Sequence, residues 1–153
     1  MRTIKFRGKK VTNGVWAYGS LVYLDENGAA IYVQTDNGSA KVMDLVYVDP
    51  YTVCQFTGFF DKNCKEIYEG DVLRSDEYPY SCIGDKERDN YFGLIEWNKN
   101  EAAFYIVTVK NPKSSVKGIS DGISDYISQS ALQDFEVIGN IHDDEWKQFR
   151  EHL

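Results

Sequence analysis

Short runs of alternating apolar and polar residues, separated by turns rich in Gly, Asn and Asp, recur along most of this chain. The first run, Thr3 to Arg7, places Ile4 and Phe6 on the same side of a strand, which predicts that both face the core. Asn13-Gly14 follows, a pair that favours the tight turn between two antiparallel strands. Similar runs and turns continue to residue 74, so the pattern predicts a mainly β fold built from hairpins.

Two stretches before residue 75 carry more specific signals. Lys41 to Val48 is apolar and β-branched with little clean alternation, which predicts a strand buried on both faces. Gln55 to Arg74 contains turn signals at residues 61–64 and 69–71. This second stretch therefore predicts three short strands joined by two tight turns.

The second half of the chain is less regular. Its segments are predicted as surface loops (75–90 and 111–120), a hairpin (91–97 with 102–109) and a last strand (135–141). Residues 119–132 fit helical spacing, although their Ser and Gly content disfavours a helix, and Asp143 or Asp144 could cap a terminal helix. Because no repeat or linker divides the chain, we expect a single domain over residues 1–153. The predicted class is mainly β with short helices, a β-rich α+β fold.

Charge is distributed unevenly along the sequence, which has a formal net charge of −7. Residues 1–74 hold nine basic and nine acidic residues, whereas residues 75–153 hold eight basic and fifteen acidic residues. Nucleic-acid binding depends largely on neutralising phosphates, so this balance argues against a nucleic-acid partner. The basic residues at the start of the chain are interpreted as a solvated strand edge: Arg2, Lys5, Arg7, Lys9 and Lys10.

Cysteine usage favours a reducing compartment, and the hydropathy pattern predicts neither a signal peptide nor a membrane span. Cys54, Cys64 and Cys82 leave one thiol unpaired in any disulfide scheme and show no Cys-x-x-Cys spacing. Together with His142 they match no common zinc spacing, so neither a metal nor a cofactor is predicted. The first residues lack the apolar core of a signal peptide, and no apolar run reaches the length of a membrane span. We expect a cytoplasmic protein without a membrane partner.

Glu66, Glu69 and Asp71 form the best candidate cluster of carboxylates in the sequence. Carboxylates that converge on Mg²⁺ would suit a metal-dependent nuclease. The alternative interpretation is that Glu69 lies in the turn and that Asp71 accepts hydrogen bonds from backbone amides to fix it. Serine-hydrolase, P-loop and dinucleotide motifs are absent from the sequence, so no catalytic residue is assigned and an enzyme is not expected.

Phe59 and Phe60 are adjacent on a predicted strand, where neighbouring side chains point to opposite faces. One of the two rings should therefore point outward. An exposed aromatic ring beside a turn is typical of a contact with another subunit or partner, so the pair is a candidate interaction surface. The alternative is that the polar loop at 75–90 covers both rings.

The central stretch resembles the YopX family of phage and prophage proteins. The matching runs are Gln55-Phe56-Thr57-Gly58, Asp61-Lys62-Asn63 and Lys65-Glu66-Ile67-Tyr68-Glu69-Gly70-Asp71, with Val137-Ile138-Gly139-Asn140-Ile141 near the end. The resemblance implies a β-rich, partly closed barrel that forms multimers, has no assigned activity and works in the cytoplasm of a bacterial host cell. Cys64 stands where the family commonly has Gly. Either this turn differs here or Cys64 adopts a strained conformation that costs about 1 kcal/mol.

These observations leave three functional hypotheses. The first is a non-enzymatic binding or assembly module that forms a homo-oligomer and contacts an unknown phage or host protein. The second is an acidic inhibitor that imitates nucleic acid through the excess acids of residues 75–153. The third is a metal-dependent nuclease-like enzyme that uses Glu66, Glu69 and Asp71.

Overall fold

Strands dominate the computed structural model, which describes residues 3–25, 28–36, 41–75, 91–109 and 124–147. The strands are β1 (Phe6–Lys9), β2 (Trp16–Asp25), β3 (Gly28–Asp36), β4 (Lys41–Val48), β5 (Cys54–Phe60), β6 (Glu66–Tyr68), β7 (Asp71–Ser75), β8 (Tyr91–Asn98), β9 (Ala103–Val109), β10 (Ser124–Tyr126) and β11 (Glu136–Asn140). Two 3-10 turns cover Pro50–Thr52 and Ala131–Asp134. The mainly β class is confirmed. No helix of the described residues is long and apolar enough to cross a membrane.

The chain consists of two compact units, residues 1–58 and residues 59–153. One sheet has the strand order β4-β3-β2-β1-β5-β6, and the other has the order β10-β9-β8-β7-β11. The strand pairings with a recorded register are antiparallel. A single domain can contain two such units, so one domain over residues 1–153 stays a prediction.

In the first unit, β2 changes its pairing partner halfway along its length. Its residues 16–19 lie opposite β1, whereas residues 20–25 lie opposite β3. The strand runs unbroken through Gly19, and its register shift with β3 falls between Tyr23 and Asp25. The inward side of this curled sheet forms a small core of Ala17, Ala29, Ile31 and Val48, against which Phe6, Leu21, Val33, Val46 and Val53 pack.

β4 does not occupy the doubly buried position that its apolar sequence predicts. It lies at the edge of its sheet, and most of its residues are exposed. Its last residue returns toward β1, where Val48 lies opposite Lys10 in an isolated bridge. Among the described residues this bridge does not make a closed barrel, so the partly closed barrel stays a prediction.

In the second unit, the strands of the sheet contribute side chains to two apolar clusters. The larger contains Ile67, Leu73, Tyr91, Ile95, Phe104, Ile106, Leu132 and Phe135. The smaller contains Val72, Phe92, Leu94, Val109, Ile141 and Trp146. Edge-to-face packing of Tyr91 on Phe135, with ring centroids 5.5 Å apart, joins β8 to the residue just before β11.

Several local predictions are corrected by the structure. Ile4 is 65% exposed rather than buried in the core, since it precedes β1. The described part of residues 119–132 contains β10 and a 3-10 turn instead of a helix. Residues 144–147 also form a 3-10 turn in place of a longer helix. Most of the predicted loops at 75–90 and 111–120 lie outside the described residues.

Candidate functional site

The turn after β5 is organised by the buried carboxylate of Asp61, which is 5% exposed. One carboxylate oxygen accepts the backbone N–H groups of Asn63 and Lys65 at 2.8 and 2.9 Å. The other oxygen accepts the N–H of Val137 on β11 at 2.9 Å. A single side chain thus closes the turn and ties it to a strand that is 76 residues away in sequence.

The second turn is organised by Asp71, which is fully buried. Its carboxylate accepts the backbone N–H of Tyr68 at 2.8 Å and the side-chain amide of Asn140 at 3.0 Å. The same amide donates to the carbonyl of Glu69, and its oxygen accepts the N–H of His142. Asp71 therefore has the turn-fixing contacts of the alternative interpretation, and Asn140 extends them to β11.

Glu66, Glu69 and Asp71 are not arranged as metal ligands. The two oxygens of Asp71 accept hydrogen bonds from protein groups, and one oxygen of Glu66 accepts the hydroxyl of Tyr68 at 2.6 Å. Within the described ranges, no group of three or more His, Cys, Asp or Glu side chains could hold a metal ion. Among the described residues these three carboxylates therefore do not form such a group, and the metal-dependent enzyme stays a hypothesis.

Phe59 and Phe60 point in different directions at the end of β5. Phe59 is half-buried and packs against the larger cluster of the second unit, whereas Phe60 is 41% exposed. The side-chain amide of Gln129 binds both backbone groups of Phe60. It accepts a hydrogen bond from the Phe60 N–H at 3.2 Å and donates one to the Phe60 carbonyl at 2.9 Å. Phe60 remains a candidate contact residue. The loop that could cover the pair lies largely outside the described residues.

Cys64 occupies the left-handed backbone region, with φ of 61°. The turn therefore keeps the conformation that glycine favours, and the steric strain predicted for Cys64 is built into it.

Replacing Cys64 with glycine is expected to raise the free energy of unfolding by about 1 kcal/mol, because glycine adopts positive φ without steric strain. The strain energy removed from the folded state exceeds the stability lost through the larger conformational entropy of glycine in the unfolded chain. Urea unfolding of both proteins measures the difference. Cys64→Ser is the matched control, since serine keeps the Cβ atom, and it should change stability by less than about 0.5 kcal/mol. Equal stability of the glycine and serine variants would contradict the strain.

The outward side of β2, β3 and β4 exposes large apolar side chains that the sequence pattern did not single out. Ile31 is buried in the core, so Ala30 and Tyr32 beside it point to the other side of the sheet. Tyr32 lies opposite Leu45 and Ala30 lies opposite Tyr47, so these side chains are neighbours. Tyr32, Leu45 and Tyr47 are 41%, 42% and 58% exposed. We call this surface the outer face: the exposed Tyr18, Tyr32, Met43, Leu45 and Tyr47, with the half-buried Val22 and the fully buried Ala30 on the same side of the sheet.

Basic side chains stack on Tyr18 of the outer face and on the neighbouring Trp16. The Nζ atom of Lys5 lies 5.7 Å from the centroid of the Tyr18 ring. The Cζ atom of Arg7 and the Nζ atom of Lys9 lie 4.4 and 5.3 Å from the centroid of the Trp16 ring. Arg7 is 4% exposed, so its interpretation as part of a solvated edge is wrong. The register accounts for the two contacts with Trp16, because Lys9 lies directly opposite Trp16 and Arg7, which lies opposite Tyr18, is the diagonal neighbour of Trp16.

A second polar cluster joins β10 to the loop before β9. The hydroxyls of Tyr105 and Tyr126 both donate to one oxygen of Glu101, and the two rings lie 4.5 Å apart. The hydrogen bonds from Tyr105 and Tyr126 lower the pKa of Glu101, while burial and the bond to Glu101 raise the pKa of Tyr105. Both shifts lead away from neutral pH, where a general acid or base works best.

These features define a class of protein with two antiparallel sheets and tight turns that are pinned by buried carboxylates. The sequence matches the family described as YopX protein over residues 5–145, nearly the whole chain, and the chain belongs to the YopX family. The resemblance carried by the central stretch is thus confirmed. Asp61, Asp71 and Asn140, which lie in the matching runs, have the structural contacts given above.

Among solved structures, the fold is similar to the one described as the crystal structure of protein EF1440 from Enterococcus faecalis. The TM-score is 0.55 and the sequence identity is 18%, and the match covers 95% of this chain and 97% of that chain. At this identity the likeness concerns the fold alone. No curated protein matches the sequence.

Proposed function

We propose that this protein is a non-enzymatic binding module that assembles into homomultimers in the cytoplasm of a bacterial host cell. It is phage- or prophage-encoded in this proposal and contacts a phage or host protein. The outer face is the observation that carries the proposal, because exposed apolar side chains adjoin one another on one side of a sheet. Contiguous apolar surface of this kind marks interaction sites in soluble proteins.

The chemistry of the carboxylates also supports a role without catalysis. Asp61 and Asp71 are buried, and their oxygens accept hydrogen bonds from backbone or amide groups of the same chain. A carboxylate in such a network stabilises a turn, and its oxygens are already engaged. Membership in the YopX family is consistent with this proposal and adds no specific activity.

Light scattering on a sizing column, at two protein and two salt concentrations, tests the multimer. We expect a multimer that higher salt does not dissociate, because an apolar contact is not screened by ions. Leu45→Lys should weaken the assembly, since it introduces charge on the outer face.

Tyr51→Lys is the matched control for Leu45→Lys, because Tyr51 is 87% exposed and lies outside the outer face. This control should assemble like the unmodified protein. A monomer at every concentration would overturn the proposal. A multimer that Leu45→Lys leaves intact would remove the outer face from it.

The acidic-inhibitor alternative remains a separate hypothesis. Among the described acids of the second half, Glu136 pairs with Lys62 and Arg74, and Asp144 pairs with Lys147. Such pairing neutralises part of the negative charge that imitation of nucleic acid requires. Many of the remaining acids lie outside the described residues, so the hypothesis stays a prediction.

A further inference from the structure

The four sheet edges differ in length, and β4 provides the longest of them. It contains eight residues, compared with three in β6, three in β10 and five in β11. Its pairings within the described ranges are with β3 and, at Val48, with Lys10. Most of the outward edge of β4 therefore has no strand beside it in the part of the chain that the structure describes.

The direction of the backbone groups along this edge follows from the bridge to β1. Val11 donates its N–H to the carbonyl of Tyr47 at 3.2 Å, so the Tyr47 carbonyl points away from β3. Backbone groups alternate in direction along a strand, and those of Lys41, Met43 and Leu45 therefore point the same way. Each of these three residues presents one N–H donor and one C=O acceptor toward the open edge.

We propose that β4 pairs in antiparallel fashion with β4 of a second copy of this chain, about a two-fold axis that passes between the two Met43 residues. This inference rests on the proposed multimer and specifies which surface forms it. An open strand edge with apolar side chains is a template for pairing with another chain. When a second strand is added at such an edge, its backbone replaces water as the hydrogen-bond partner of the N–H and C=O groups along the edge.

The three edge-facing residues determine the register. When Met43 lies opposite its own counterpart, Lys41 of each copy lies opposite Leu45 of the other. This arrangement engages all the edge-facing groups of Lys41, Met43 and Leu45, which amounts to about six hydrogen bonds across the two-fold axis. If the two-fold axis moved to Val42, Leu45 would lie opposite a position that precedes Lys41 in the second copy. The edge-facing backbone groups of Leu45 would then have no partner in the second β4.

Repulsion between like charges disfavours moving the two-fold axis in the other direction, toward Asp44. Moving the axis to Asp44 would place the two Asp44 carboxylates directly across from each other, and like charges at such positions destabilise a strand pair. In the Met43 register Asp44 lies opposite Val42 of the second copy. On the outer face Met43 meets Met43, and the aliphatic stem of Lys41 packs beside Leu45.

This self-complementarity favours a second copy over an unrelated peptide. The same three residues supply the donors, the acceptors and the apolar contacts on both sides of the axis, as a two-fold interface requires. The joined sheets would also place the two outer faces side by side, because Leu45 is the neighbour of Tyr32. The apolar surface open to a further partner would then be about twice as large.

Met43→Pro tests the backbone pairing. Proline lacks an N–H, and the N–H of Met43 points away from β3, so the bonds within the chain are retained while those across the axis are lost. We expect the dissociation constant of the dimer to rise at least tenfold in sedimentation experiments. Met43→Leu, of similar volume, should leave it within about twofold. Circular dichroism verifies that both variants are folded.

Cross-linking tests the position of the axis without disturbing the strand. Met43→Cys is combined with Cys64→Ser and Cys82→Ser, and a short bismaleimide is added to the folded protein; Cys54 is buried. We expect a covalent dimer. Tyr51→Cys in the same background is the control and should remain monomeric under denaturing conditions.

Three outcomes separate this inference from the proposed function. Loss of the dimer in Met43→Pro, together with cross-linking through residue 43, supports both. A multimer that Met43→Pro leaves intact and that residue 43 does not cross-link overturns the β4 pairing, while the proposed function stands. An unmodified protein that is monomeric at every concentration overturns both.

Discussion

Asp61→Ala is expected to lower the free energy of unfolding by about 3 kcal/mol, because it leaves three backbone N–H groups without their acceptor. Those groups belong to Asn63, Lys65 and Val137. The loss affects both the turn and its attachment to β11. Urea unfolding measured by circular dichroism gives the difference directly.

Asp134→Ala is the matched control for this substitution. Asp134 is an exposed aspartate in the same unit, and its removal should change the free energy of unfolding by less than about 0.5 kcal/mol. Asp61→Asn should fall between the two, because an amide retains one acceptor oxygen and turns donors toward the other N–H group. A loss of under about 1 kcal/mol in Asp61→Ala would show that the network contributes little.

Gly19→Ala is expected to destabilise the first unit by about 3 kcal/mol, because the added methyl group clashes with the backbone of β3, which is held in place by strand pairing. A Cβ atom at this position would lie 2.1 Å from the carbonyl oxygen of Tyr32 and 3.1 Å from a methyl carbon of Ile31. Tyr32 is fixed opposite Ser20, the next residue on β2. The thermal midpoint and the urea midpoint should both fall.

Gly14→Ala distinguishes this clash from the ordinary cost of replacing a glycine. Gly14 has φ of 69° and open space around a Cβ atom. Its replacement should cost about 1 kcal/mol, which is the price of a left-handed backbone for alanine. Equal losses at residues 14 and 19 would contradict the close packing of β2 on β3.

The two turns of the central stretch illustrate how local signals lead to local structure. The residue pattern from Gln55 to Arg74 predicts three strands and two turns, and the structure contains β5, β6 and β7 there. Cys64 has the positive φ that its position in the motif predicted. Such features depend on a few neighbouring residues, so the sequence contains the information needed to predict them.

The candidate site was less predictable because its contacts are distant in sequence. Asp61 binds the N–H of Val137, and Asp71 binds Asn140, over separations of 76 and 69 residues. Of the three carboxylates considered as metal ligands, Asp71 instead joins β7 to β11 through Asn140. The outer face was also missed, because it depends on which residues of β2, β3 and β4 lie opposite one another.

The sequence by itself determined the mainly β class, the central turns and membership in the YopX family, since each depends on short-range pattern or on matching residues. The tertiary structure decided that β4 is an edge strand, although its composition is that of a buried one. It also decided that Arg7 is covered although it belongs to a basic run. The physical reason is that burial depends on which strands pair, and pairing is a long-range property of the whole chain.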